Sequence, residues 1–247
     1  MAEQIELMMR QGKLGGMAKG WRSVQYENTE QYVTELLKLE LQEREANRIN
    51  RMVKTAGFRV LKTLDEFVWN SAIELPSGLT QEYMTDLHFL TPKENLIFMG
   101  TVGTGKTHLA TAIGISCAKA RNITYFITFE KLMNQLKSAL HENRLETRLK
   151  FFAKYKVLII DEIGYMPIDQ DSANLFFQLI ARRYEKNSTM ITTNMPFSRW
   201  AEIFGSATLA NAILDRLLHH SSVISIKGPS YKLRDKRELL ETHAADE

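Results

Sequence analysis

The chain has 247 residues, a formal net charge of +3, 44% hydrophobic and 25% charged side chains, the make-up of one large globular domain or one domain with a smaller appendage. That composition excludes a wholly disordered chain, a collagen-like one and a coiled-coil rod. Apolar runs such as Val157–Ile160 fall far short of the roughly 20 residues a membrane helix needs, the start carries Glu3 and Glu6 without the apolar core of a signal peptide, and the lone Cys117 makes neither a disulfide nor a cysteine zinc site, so a soluble cytoplasmic protein without a membrane partner is expected.

In chain order, a small helical domain is predicted over residues 1–60. Ile5, Leu7, Met8 and Met9 open a short helix, and glycines at 12, 15, 16 and 20 then make a poor helix interior. Asn28 or Thr29 can cap a long helix through Tyr32, Val33, Leu36, Leu37 and Leu41 to about Thr55, with Gly57 at the stop. Arg44, Arg48, Arg51 and Lys54, at spacings of four, three and three, share one helix face. That stripe could follow a DNA backbone through salt-dependent phosphate contacts or be a solvated face. Residues 61–92 read as a linker with a short helix over Thr80–Leu90, and Phe67 and Trp69 within it could close over adenine or be core aromatics, the core reading being favoured.

From residue 93 to 230 the pattern is an α/β core. Strands are predicted at Asn95–Met99, Ile123–Thr128, Val157–Asp161, Met190–Thr193 and Val223–Ile226. Helices are predicted between them at Lys106–Ala120, Phe129–Glu142, Ala173–Glu185 and Ala207–His219. Such alternation implies a parallel sheet flanked by helices on both faces. Residues 131–156 carry seven basic against two acidic side chains, which makes Arg144 and Arg148 further candidates for DNA contact. His219 and His220 resemble a metal pair but have no cysteine or acid at ligand spacing. A basic, then polar, tail is expected over 231–247.

The segment Gly100-Thr-Val-Gly-Thr-Gly-Lys-Thr107 fits the phosphate-loop pattern G-x-x-x-x-G-K-[ST] at every fixed position, after a strand and before a helix. Gly100, Gly103 and Gly105 let backbone N–H groups turn toward phosphate oxygens, and Thr101, Val102, Thr104 and His108 complete the nucleotide-binding stretch. The helix beginning near Lys106 points its positive end at the same anion. Lys106 neutralises phosphate charge, and the Thr107 hydroxyl can ligate Mg²⁺. Fifty-five residues on, Lys156-Val-Leu-Ile-Ile-Asp-Glu162 is an aliphatic strand ending in two carboxylates. Asp161 can hold Mg²⁺ and Glu162 can act as general base on the attacking water. Asn194, ending the run Thr189–Asn194, can orient that water or begin a turn before Pro196.

The segments GTVGTGKTHLA, VLIIDEIGYMP, RRYEKNSTMITTNMPFSRW, AILDRLLHHSSVISI and GPSYKL, with LGGMAKG and LKLELQEREANRI near the start, resemble the IstB-like group of AAA+ ATPases over nearly the whole chain. These are ATP-binding helper proteins of insertion-sequence transposases, related to the helicase loader DnaC and the initiator DnaA. The resemblance implies a P-loop AAA+ fold and ATP with Mg²⁺ as ligands. It implies phosphate contacts at 100–107, Walker B carboxylates at Asp161 and Glu162, and a sensor at Asn194. It also implies an arginine acting on a neighbouring subunit's ATP, for which Arg216 is the first choice and Arg183 the second. A homo-oligomer on double-stranded DNA without sequence preference, partnered by a transposase subunit, is the expected assembly; a DnaC-like loader is the alternative. Relatives often read SYRL where this chain has Lys232, and Pro-Pro where it has Thr101-Val102.

Overall fold

The computed structural model describes residues 2–228; Lys232 and the expected tail over 231–247 lie outside them. The chain forms two compact units, one through Lys54 and one from Thr55.

The first unit is three helices, α1 (Ala2–Gln11), α2 (Gly15–Gly20) and α3 (Thr29–Thr55). Asn28 caps α3, its Oδ1 accepting from Gln31 N at 2.9 Å, while Gln31 Oε1 accepts from Glu27 N at 2.7 Å. The glycine-rich stretch expected to be a poor helix is α2. A Cβ on Gly16 would lie 2.4 Å from Leu39 O and 2.7 Å from Glu40 Cα, so only glycine allows this approach of α2 to α3. The glycine's helix penalty is offset by what that approach permits: Glu40, only 5% exposed, accepts from Gly16 N at 2.8 Å and Met17 N at 3.3 Å. Arg44 Nε donates to its other oxygen at 2.7 Å. Burial pushes the Glu40 pKa up, but the Arg44 bond and the two amides outweigh it and hold the group below its ordinary value.

The second unit is built on a six-stranded sheet of β1 (Ile73–Glu74), β2 (Asn95–Met99), β3 (Thr124–Thr128), β4 (Val157–Ile163), β5 (Ser188–Thr193) and β6 (Ser221–Ile226). The strand order is β1-β6-β2-β5-β4-β3, parallel except for the two-residue edge β1, which the sequence did not suggest. The helices are α4 (Gln81–Thr85), α5 (Lys106–Lys119), α6 (Phe129–His141), α7 (Leu145–Ala153), α8 (Gln170–Arg183), α9 (Trp200–Phe204) and α10 (Ala207–Leu218). The expected helix over Thr80–Leu90 breaks at Leu87, whose φ of 64° is left-handed, leaving α4 and a 3₁₀ turn. The basic stretch after residue 144 contains α7, which the sequence pattern did not predict.

Strand alternation divides the core between the two faces of the sheet. Ile97, Leu158, Ile160 and Ile191 pack with α6 to α10. Leu96, Phe98, Val157, Ile159 and Met190 pack with α5 and the segment before β2. Each fully buried aliphatic or aromatic side chain contributes about 1.5–3 kcal/mol, enough together to fix the register on which the strand tips depend.

Arg183 is part of this core, which removes it as the alternative arginine acting between subunits. It is 1% exposed. It donates to the carbonyls of Phe152 (3.0 Å), Ala153 (3.3 Å), Tyr155 (2.8 Å) and Ser188 (2.5 Å) and to Thr189 Oγ1 (3.0 Å). Burial pushes its pKa down to about 9, so it stays charged at neutral pH. Its neighbour Arg182 is the surface residue and makes a bidentate pair with Glu146 at 2.9 and 2.5 Å.

Candidate functional site

The loop 100–107 leaves β2 between the tips of β5 and β6. Gly100 N donates to Thr193 O at 3.2 Å. A Cβ on Gly100 would lie 2.0 Å from Ile226 O, so no other residue fits between these strands. At the far end of the loop, α5 begins at Lys106 without a side-chain cap, leaving its first-turn N–H groups to an anion. Lys106 is 7% exposed, and its Nζ donates to Thr101 O. Burial lowers its pKa while the Asp161 carboxylate pulls the other way. A partly desolvated ammonium beside uncapped amides favours a multiply charged anion such as a triphosphate.

Asp161 and Glu162 sit where β4 departs from regular pairing. Ile160 faces Ile191, and the next pair is Ile163 with Thr193, so the two acids lie opposite the single residue Thr192. The bulge separates them. Asp161 is 2% exposed, whereas Glu162, with φ of 67°, faces solvent. Asp161 Oδ1 accepts from Thr107 Oγ1 at 2.9 Å and from Thr192 Oγ1 at 2.5 Å. Among the described residues Asn194 Oδ1 is buried without a hydrogen-bond partner.

These groups share one cavity of about 480 Å³, lined by Lys106, Thr107, Asp161, Glu162, Thr192 and Asn194. Arg59 and Lys62 line it as well, neither of them among the site residues expected from the sequence. The only signal was that the basic run continues past the end of α3. A second cavity of about 280 Å³ lies alongside, with Phe67, Thr104, Gly105 and His108 on its wall. Phe67 is thus a wall residue as well as a packing one, its ring 5.3 Å from the His108 ring and 5.1 Å from Trp69. An apolar, aromatic-walled recess beside a phosphate loop suits a planar base.

The remaining candidates are less concentrated. Arg216 on α10 is half-buried, its guanidinium 4.4 Å from the centre of the Phe177 ring and Nη1 donating to Ala212 O at 3.1 Å. Neither contact is an acid, and Asp215 beside it is exposed. In the first unit Arg44, Arg48, Arg51 and Lys54 are all exposed, with Arg44 bound to Glu40. Arg144 pairs with Glu142, and Arg148 lies 5.2 Å from the Phe151 ring. His219 and His220 do have an acidic partner: Glu185, distant in sequence, lies 3.2 Å from His220 Nε2, and Tyr184 Oη is 2.8 Å from His219 Nδ1.

A phosphate-loop strand flanked by β5 and β6, with the acidic strand β4 one place beyond β5, defines the P-loop core of the AAA+ class. The chain belongs to the family of IstB-like ATP binding proteins, whose sequence profile matches residues 9–239. It is 51% identical over 210 residues to a protein named for ATP binding in insertion sequence IS232 of Bacillus thuringiensis subsp. berliner, covering 83% of this chain and 82% of that one. With the correspondingly named protein of insertion sequence IS5376 from Geobacillus stearothermophilus the identity is 41% over 243 residues, 96% of each chain. Among solved structures it is similar to the DnaC helicase loader, with a TM-score of 0.54 and 25% identity over 67% of this chain and 96% of that one. No helix among the described residues is long and apolar enough to cross a membrane.

Proposed function

We propose that the protein is a cytoplasmic ATPase that assembles with ATP on double-stranded DNA and assists the transposase of its insertion sequence. The observation that carries the catalytic part is the contact of Thr107 with buried Asp161 at the mouth of the phosphate loop, with Glu162 in the same cavity. Residues 100–108 hold the triphosphate, and the recess beside Phe67 and His108 takes the adenine. Thr107 and Asp161 offer hard oxygens 2.9 Å apart, a set suited to magnesium, which when bound supplies charge neutralisation at the β- and γ-phosphates. Glu162, turned to solvent by its left-handed backbone, accepts a proton from the attacking water. Asn194, on the wall of the same cavity, orients that water through its side-chain amide, and products are ADP and phosphate.

Arg216 is the residue we assign to the neighbouring subunit's ATP. Its two contacts within the chain leave several guanidinium N–H groups to donate elsewhere. The exposed residues Arg44, Arg48, Arg51 and Lys54 on α3, with Arg144 and Arg148 as further candidates, support contact with DNA phosphates. Among the described residues no feature reads base edges, which supports sequence-tolerant binding. Relatives named for insertion sequences support this reading over a helicase-loader role.

Glu162→Gln tests the catalytic part. It keeps ATP affinity and lowers turnover by about 10²–10⁴-fold, with and without DNA, in a phosphate-release assay. Turnover at the wild-type rate would remove Glu162 as the base.

A further inference from the structure

Thr192 lies at the one place where a single side chain meets both halves of the acidic pair. Strand alternation puts it on the α5 side of the sheet, the same side as Met190, one step beyond the apolar face and 1% exposed. Opposite it, β4 has its bulge. At such a bulge one backbone donor loses its ladder partner, and here the orphan is Glu162 N. The Thr192 hydroxyl takes that role, accepting from Glu162 N at 2.9 Å and donating its own hydrogen to Asp161 Oδ1 at 2.5 Å. One hydroxyl supplies one donor and acceptor lone pairs, and both kinds are used. The same bond spans the residue whose φ of 67° is left-handed, a backbone state that costs a non-glycine residue about 1 kcal/mol or more and persists only when surroundings hold it.

We propose that Thr192 is a positioning residue: its hydroxyl holds the Glu162 backbone in the left-handed turn that aims this carboxylate at solvent, while fixing the neighbouring Asp161 carboxylate inward. The inference rests on the proposed ATPase reading for its consequence in turnover, but not for its structural content. Without the hydroxyl the Glu162 amide has no acceptor and the two acids are no longer locked in opposite orientations. ATP binding by the loop 100–108 does not pass through the bond to Glu162 N, and the Thr107 hydroxyl still holds Asp161 Oδ1 at 2.9 Å. The expected consequence is therefore a loss in kcat with little change in KM for ATP.

Two variants separate the hydroxyl from the bulk of the side chain. Thr192→Val keeps the shape and removes both hydrogen bonds; Thr192→Ser keeps the hydroxyl and removes the methyl group. Amide hydrogen exchange at Glu162 in the nucleotide-free protein is the first readout, steady-state ATP hydrolysis the second. Thr192→Val should speed that exchange by about tenfold, the scale of one lost hydrogen bond. It should also lower kcat by about tenfold or more with KM within about twofold, while Thr192→Ser resembles wild type in both. Should Thr192→Val fail to fold, Thr192→Ser decides: a folded serine variant with fast Glu162 exchange or lost kcat overturns the proposal. Wild-type exchange in Thr192→Val, or a serine variant as impaired as the valine one, overturns it too. If Glu162→Gln hydrolyses ATP as fast as wild type, the ATPase assignment fails by itself, and the exchange measurement still decides the role of Thr192.

Discussion

Each unit of the molecule is organised around one buried carboxylate, and the two are treated differently. Glu40 in the helical unit receives two backbone amides and an arginine, so its charge is answered within its own chain. Asp161 in the sheet unit receives two neutral hydroxyls on one oxygen, and among the described residues its other oxygen accepts no hydrogen bond. The first arrangement is closed and builds structure. The second is open toward a cavity and leaves capacity for an external cation. The same contrast separates two arginines: Arg183 fills its donors inside the core, while Arg216 meets one carbonyl and the face of one ring. A charged group whose hydrogen-bonding capacity is spent within the chain is a structural one; one that is half-spent beside a cavity or surface is available for function.

The largest expected effect tests the arginine pair. Arg216→Ala should leave the melting temperature nearly unchanged and remove about 10³-fold or more of the hydrolysis rate that assembly induces. Arg183→Met should do the reverse, destabilising the fold by about 3 kcal/mol or more through the carbonyls it leaves unpaired. Rate against protein concentration, measured with DNA, separates them. If Arg216→Ala keeps the rise of rate with concentration, the arginine acting between subunits lies elsewhere.

Glu40 provides the next test. Glu40→Ala should destabilise the helices of residues 2–54 by about 2–3 kcal/mol, the value of hydrogen bonds to a charged group, and leave ATP affinity unchanged. Because the folded pKa lies below the ordinary 4.5, this stabilisation is complete above about pH 4.5 and fades as pH falls through the folded value. Protection of α2 amides from exchange, followed against pH in wild type and variant, reports both. Protection equal in the two proteins at neutral pH would make Glu40 incidental.

Much of this was legible in the sequence because period and punctuation carried it. The five parallel strands and the helices α5, α6, α8 and α10 follow from aliphatic runs and helical spacing, whereas α7 and α9 were not expected; the loop 100–107 follows from residue types that a phosphate cradle requires. What escaped depended on phase or on distant contacts. Arg183 follows Phe176 and Ile180 at helical spacing, which places it on the buried face of α8; the family resemblance instead made it the second choice for the arginine acting between subunits. Thr192 needed the β4 bulge, which spacing does not announce. The helical α2 needed the contact with α3 that its glycines permit, and Glu185 met His219 and His220 only through the fold.

The smallest expected effect concerns the stripe on α3. Replacing Arg48 and Arg51 together by alanine should flatten the slope of log DNA affinity against log salt by roughly two units if both touch phosphates. An unchanged slope would make the stripe a solvated face.

The open state of Asp161 is tested most directly by ATP affinity with and without Mg²⁺, measured by calorimetry in wild type and in Asp161→Asn. The substitution keeps shape and an acceptor for Thr107 and Thr192 but removes the charge. In wild type Mg²⁺ should tighten ATP binding; in Asp161→Asn the affinity without the metal should persist and the tightening should disappear. Equal tightening in both proteins would contradict the account, because the cation would then be held without the carboxylate that the fold leaves open for it.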